Sequence, residues 1–193
     1  MRFQKILMTV TLVIAALSIV YALIFCSGTL NQVGSVWEYL TDTQAAGYQV
    51  YSRSQAFSDN FLILGVVLVL TVVLMMIMGC HTRRKYYITN YVAIGIFVVY
   101  VLVFAVLLVV NVVGIQSALS GVDMAEAKEI YEEATSLYGG WNEGTWMLTL
   151  GYVYMAILLI DAVVVVLNLV WKIKLMQGEQ ALLQSGVAEE VAQ

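Results

Sequence analysis

The sequence has no proline, a single histidine and only two cysteines, and each shortage closes off an interpretation. Ordinary usage of about 5% would place several prolines in a chain of this length, so straight, unbroken helices are the expectation. His81, with Cys80 beside it, offers two soft metal ligands, short of the four usual in structural zinc. A histidine-based triad would have to use that same residue, and no nucleophile or carboxylate partner can be assigned to it. Neither a phosphate-binding loop nor a dinucleotide fingerprint is present. The expectation is a non-enzyme with no catalytic, cofactor-binding or metal-binding residues and no nucleic-acid partner. Charge is scarce too: 11% of residues are charged and 62% hydrophobic, where a soluble domain has about a quarter charged and nearly half apolar. Lipid is the solvent that fits such a composition.

Four apolar runs are long enough to cross the roughly 30 Å hydrocarbon core, which takes about 20 helical residues. They predict helices at about 6–26, 61–80, 90–117 and 145–172. Valine-rich stretches such as Val163 to Val166 favour strands by propensity. In hydrocarbon, however, every backbone donor and acceptor must be satisfied internally, and that requires helices. The fold class expected is an all-α membrane protein, a four-transmembrane-helix up-and-down bundle. Residues 1–178 form its single domain and 179–193 a short cytoplasmic tail. The two cysteines close the first and second runs, at opposite faces of the membrane. A disulfide needs its Cα atoms within about 7 Å, so both are read as free thiols. The first run is longer than the apolar region of a secretory signal and is read as a retained helix.

Orientation follows from lysine and arginine, which stay cytoplasmic. Arg2, Lys5, Arg83, Arg84, Lys85, Lys172 and Lys174 fall on the side of the termini and the 81–89 loop; Arg53 and Lys128 fall on the other. The outer loops, 27–60 and 118–144, carry nine acids for a net charge of −7. Both termini are expected in the cytoplasm. With no Asn-x-Ser/Thr acceptor and no loop disulfide, the composition points to a bacterial cytoplasmic membrane.

Outside the membrane, Ser35 to Glu38 reads as one capping box, and Asp123 to Glu126 as another that opens an amphipathic helix stopped by Gly139-Gly140. The stretch Tyr48 to Ser52 fits strand and coil equally. On the second-loop helix, Ile130, Tyr131, Ala134 and Leu137 recur at helical spacing, with Glu129 and Glu133 at the border. This face either packs on the first outer loop or docks a partner, and those six residues are the candidate docking face.

One ionisable residue lies mid-membrane. Asp161 interrupts the fourth run at a cost of about 3 kcal/mol on insertion scales, so it must face protein or water. It shares a stripe with Gly151, Tyr154, Leu158, Val165, Asn168 and Lys172. Asn111 on the third helix matches Tyr154 in depth. Asp161, Asn168, Tyr154 and Asn111 form the candidate intramembrane polar site. Its structural reading is a carboxyl that holds helices together; its functional reading is a proton or cation site in a transport path. Small residues Thr11, Ala15, Ser18 and Ala22 line one face of the first helix, suited to close packing.

These features favour a small non-enzymatic membrane subunit that docks to a larger membrane complex through outer loops and polar helix faces. The alternative is an oligomeric channel or ion-coupled carrier with Asp161 in the permeation path. The partners expected are the bilayer and another membrane protein or a second copy of the chain.

Overall fold

The computed structural model describes residues 2–26, 46–79, 87–134 and 145–191. Every regular element among them is a helix: α1 (Arg2–Cys26), α2 (Ala46–Gly79), α3 (Tyr87–Leu119), α4 (Met124–Ala134) and α5 (Trp146–Val191). Four of them, all but α4, are long and apolar enough to span a membrane. The protein is a multi-pass, all-α membrane protein.

The helices close a square, α1 against α2, α2 against α3, α3 against α5 and α5 back against α1, and that last seam is the least extensive. Consecutive spans run antiparallel, so the bundle has a termini side and a loop side, where α4 lies. The buried positions explain the geometry. The central stripe on α5 is Met147, Gly151, Tyr154, Leu158, Asp161, Val165 and Asn168, flanked by Leu148 and Ala162; on α1 it is Met8, Thr11, Ala15, Ser18 and Ala22, flanked by Leu7 and Tyr21. Both follow alternating steps of three and four, the 3.5-residue repeat of left-handed bundle packing. The opposite faces are uniformly apolar and exposed, with Val13, Leu70, Val106 and Ile160 among them, as a lipid-facing surface requires. Polar side chains off the core bond to their own backbone: Thr9 donates to the Lys5 carbonyl at 2.9 Å and Thr71 to the Val67 carbonyl at 2.8 Å.

Two helices extend further than hydropathy suggests. α2 begins at Ala46 rather than near residue 61, so Tyr48 to Ser52 is helix, neither strand nor coil. Its buried stripe of Gly47, Val50, Ser54, Phe57 and Phe61 keeps the helical step, but serines within it dilute the apolar signal. With 34 residues it is about 51 Å long. α5, with 46 residues, reaches about 69 Å and carries what was expected to be a tail as helix to Val191. Its last turns are rich in Glu, Gln, Ala and Leu, all good helix formers.

α4 starts as expected: the Asp123 carboxylate accepts from the Ala125 amide at 2.9 Å and the Glu126 amide at 3.4 Å. The Ser35 to Glu38 box and the Gly139-Gly140 stop lie outside the described residues.

Candidate functional site

The seam between α1 and α5 has the least backbone contact, and it is joined instead by a ladder of specific side-chain contacts across the bundle. Nearest the loop side, the Tyr21 hydroxyl donates to the Met147 carbonyl at 3.0 Å. Below it, the Tyr154 hydroxyl donates to the Ile14 carbonyl at 3.2 Å. At mid-span Thr11 Oγ1 donates to Asp161 Oδ1 at 3.1 Å. On the termini side Phe3 and Trp171 meet edge to face, with ring centroids 6.4 Å apart. Both helices must hold one antiparallel register for all four contacts to form. Gly151 makes room for the first, since a Cβ there would fall 2.6 Å from the Tyr21 hydroxyl.

Asp161 is 5% exposed, so it faces the bundle interior and neither lipid nor a partner subunit. Its Oδ1 takes the Thr11 hydrogen; its Oδ2 is buried with no hydrogen-bond partner. Two turns toward the termini side, Asn168 is also buried. On α3, Asn90 is buried and its Oδ1 likewise lacks a partner. The α3–α5 register is fixed by the Phe104–Tyr154 ring pair and by Val112, 3.3 Å from a Cβ built on Gly151. That register brings Asn90 and Asn168 to about the same depth.

Toward the loop side the interior is aromatic. Tyr21 meets Phe57 (6.0 Å), Phe57 stacks on Phe61 (4.2 Å), Phe61 meets Phe104 (5.1 Å), Phe104 meets Tyr154 (6.4 Å) and Tyr154 stacks on Tyr21 (6.3 Å). These five rings, drawn from all four spanning helices, form a closed circuit. Tyr100 adds a phenol bond to the Leu64 carbonyl at 2.7 Å. In offset and edge-on geometry such pairs contribute about 0.5–1.5 kcal/mol each beyond their packing.

The expected pairing of Asn111 with Tyr154 does not form. Tyr154 turns to α1, and Asn111 Nδ2 donates to the Leu107 carbonyl of its own helix at 2.7 Å. Equal depth does not fix helix rotation, and Asn111 sits at the border of a groove of about 300 Å³ between α2 and α3, lined by Asn60, Phe61, Ile63, Leu64, Leu107 and Asn111. The docking face on α4 is corrected at Tyr131, which is 9% exposed and buried together with Ala127. Surface helices ordinarily cover apolar positions on their own domain; these two are covered, and Glu126, Glu129 and Glu132 are exposed. The side chains of Ile130, Glu133 and Ala134, and all of Leu137, lie outside the described part.

Thr11 is the functional neighbour that sequence reasoning missed. Its signal was depth: Thr11 and Asp161 sit near the midpoints of the spans Phe3–Ile24 and Trp146–Leu175. Among the described residues no three His, Cys, Asp or Glu side chains gather as metal ligands would. Compared with known proteins, the chain matches no family, no curated protein and no solved structure.

Proposed function

We propose that this protein is a small non-enzymatic membrane subunit that docks to a larger membrane complex through its two projecting ends. The observation that carries this reading is the reach of α5. At about 69 Å it is more than twice the thickness of the hydrocarbon core. Beyond Lys172, Ile173 is half-buried and the other described positions, Lys174, Leu175, Gln177, Gly178 and Ala181, are exposed. A helix of about 20 residues gains little from propensity alone and is ordinarily stabilised by packing an apolar face. On the loop side, α4 presents Glu126, Glu129 and Glu132 while Ala127 and Tyr131 are buried, which suits a basic partner surface.

The orientation belongs to this proposal: the termini and the α5 extension are cytoplasmic, by the distribution of lysine and arginine. The membrane is the cytoplasmic membrane of a bacterium. The polar helix faces expected to dock are turned inward, so recognition is assigned to the ends of the bundle. A permeation path through one protomer is disfavoured by the aromatic circuit, which fills the interior on the loop side of Asp161.

Extraction in mild detergent followed by mass measurement of the intact assembly tests the reading. A defined heteromer that is lost when α5 is truncated after Gly178 is the expected result. A ring of identical chains, or a monomer that carries ions in vesicles, overturns it.

A further inference from the structure

We propose that Asp161 is a proton-binding site that exchanges with the termini side of the bundle and is sealed from the loop side. The inference goes beyond a docking role and stands on the geometry of one carboxyl.

Asp161 has two acceptor oxygens and one donor. Thr11 serves Oδ1 at 3.1 Å, while Oδ2 is buried without a partner. An ionised oxygen held so far from water is costly unless it is paired, and a buried carboxyl avoids that cost by binding a proton. Among the described residues no lysine or arginine lies in the central layer to substitute. Within the central layer, α1 from 6 to 20, α2 from 60 to 79, α3 from 92 to 99 and α5 from 155 to 171 contain no other titratable side chain. The titratable groups that bound this layer are Tyr21, Asp59, Tyr100 and Tyr154 toward the loops, and Lys5, Tyr91 and Lys172 toward the termini. The three phenols toward the loops already donate to main-chain carbonyls. Asp161 is therefore the sole proton acceptor of its layer.

The two directions away from it differ. Toward the loops stands the closed circuit of five rings, with Tyr154 two turns above the carboxyl. Toward the termini, the α5 stripe continues through Val165 to Asn168 and then Lys172, which is half-buried at the edge. Asn90 adds a second buried oxygen without a partner at about the depth of Asn168. Phe97, fully buried, lies about level with Asp161 by the same register, and no fully buried ring among the described residues lies farther toward the termini. Amides about 10 Å from the carboxyl, as seven residues of helix rise imply, give water or a hydrated proton its polar footing on this side.

A hydrophobic carbodiimide tests both halves of the proposal. Its N=C bond adds the O–H of a protonated carboxyl and leaves a carboxylate unmodified, so the adduct reports the bound proton. The full chain is treated with dicyclohexylcarbodiimide in membrane vesicles of known orientation, and the adduct is located by peptide mass spectrometry. We expect modification at Asp161 at neutral pH, its loss in D161N, and a rate that falls about tenfold per pH unit once the carboxyl is mainly ionised. When the two compartments are set to different pH, the rate follows the termini side. The wild-type pH profile and sidedness carry the test even if D161N fails to fold. An unmodified Asp161 peptide from acid to neutral pH overturns the proposal. So does a rate that follows the loop side, or protection by sodium relative to choline at fixed pH, which would assign a metal cation instead.

Discussion

On the loop side of Asp161 the four spanning helices meet through aromatic rings whose hydroxyls are all bonded to carbonyls. Toward the termini they meet mainly through aliphatic side chains, with Phe97 and the Phe3–Trp171 pair as the rings. Two of the three buried side-chain oxygens without a partner among the described residues, Asp161 Oδ2 and Asn90 Oδ1, lie there; the third, Ser54 Oγ, is on the loop side. Lipid removes most of the hydrophobic drive for helix association, so packing and interhelical hydrogen bonds must carry the fold. The loop half uses both, whereas the termini half relies mainly on packing, with the Thr11–Asp161 bond at its upper edge. The contrast assigns rigidity to the loop half and chemistry to the termini half.

The largest test removes a ring from the circuit. Phe61 lies against Phe57 and Phe104 and is 2% exposed, so Phe61→Ala opens a cavity that lipid cannot reach. A loss of about 3 kcal/mol is expected, the low end for such a truncation because part of the transfer term is absent in lipid. Reversible unfolding in mixed micelles measures it. A loss similar to that of Val165→Ala, on the termini side, would erase the distinction between the halves.

A smaller effect is expected at Gly151. A Cβ there falls 2.6 Å from the Tyr21 hydroxyl and 3.3 Å from Val112 Cγ2, so Gly151→Ala displaces the phenol from the Met147 carbonyl. The cost is about 2 kcal/mol, as for overpacked cores. Combined with Tyr21→Phe, which removes the displaced hydroxyl, it should cost less than the sum of the two single changes. Strict additivity would mean that glycine serves another purpose.

How much of this was legible depended on whether a feature lay within one helix or between two. The four spans, the inward stripe of α5 and the capped start of α4 each have a local period or a local cap, and each is readable from sequence. The start of α2 was hidden because Ser54 and Ser58 occupy core positions normally read as polar. Apart from the Phe57–Phe61 stack within α2, the contacts of the aromatic circuit and the Thr11–Asp161 bond join residues 36 to 150 positions apart. Such contacts depend on helix rotation, which depth and hydropathy leave undetermined. The failed Asn111–Tyr154 pairing has that same origin.

Hydrogen bonds across the seam give the next effect. Tyr154→Phe keeps the ring and its stacking but removes the donor to the Ile14 carbonyl. Interhelical bonds in membranes average about 0.6 kcal/mol and reach about 1.7 kcal/mol. A loss near 1 kcal/mol is expected, because the hydroxyl is partly buried and spans the thinnest seam. The same unfolding assay reads it, and no loss would mean that this rung of the ladder contributes nothing.

Asn90 supplies the smallest effect and the one of opposite sign. Its Oδ1 is buried without a partner, and the residue is 5% exposed. A buried polar atom left unsatisfied costs about 1–3 kcal/mol, and its replacement by an apolar group of similar shape relieves that cost. Asn90→Leu should therefore leave stability unchanged or raise it by about 1 kcal/mol, where each change on the loop side lowers it. If Asn90 provides polar footing for proton exchange with Asp161, the same substitution slows carbodiimide modification after a pH step while stability is kept. A destabilised N90L would show that the amide is structural, and the contrast between a rigid half and a chemical half would then rest on Asp161 alone.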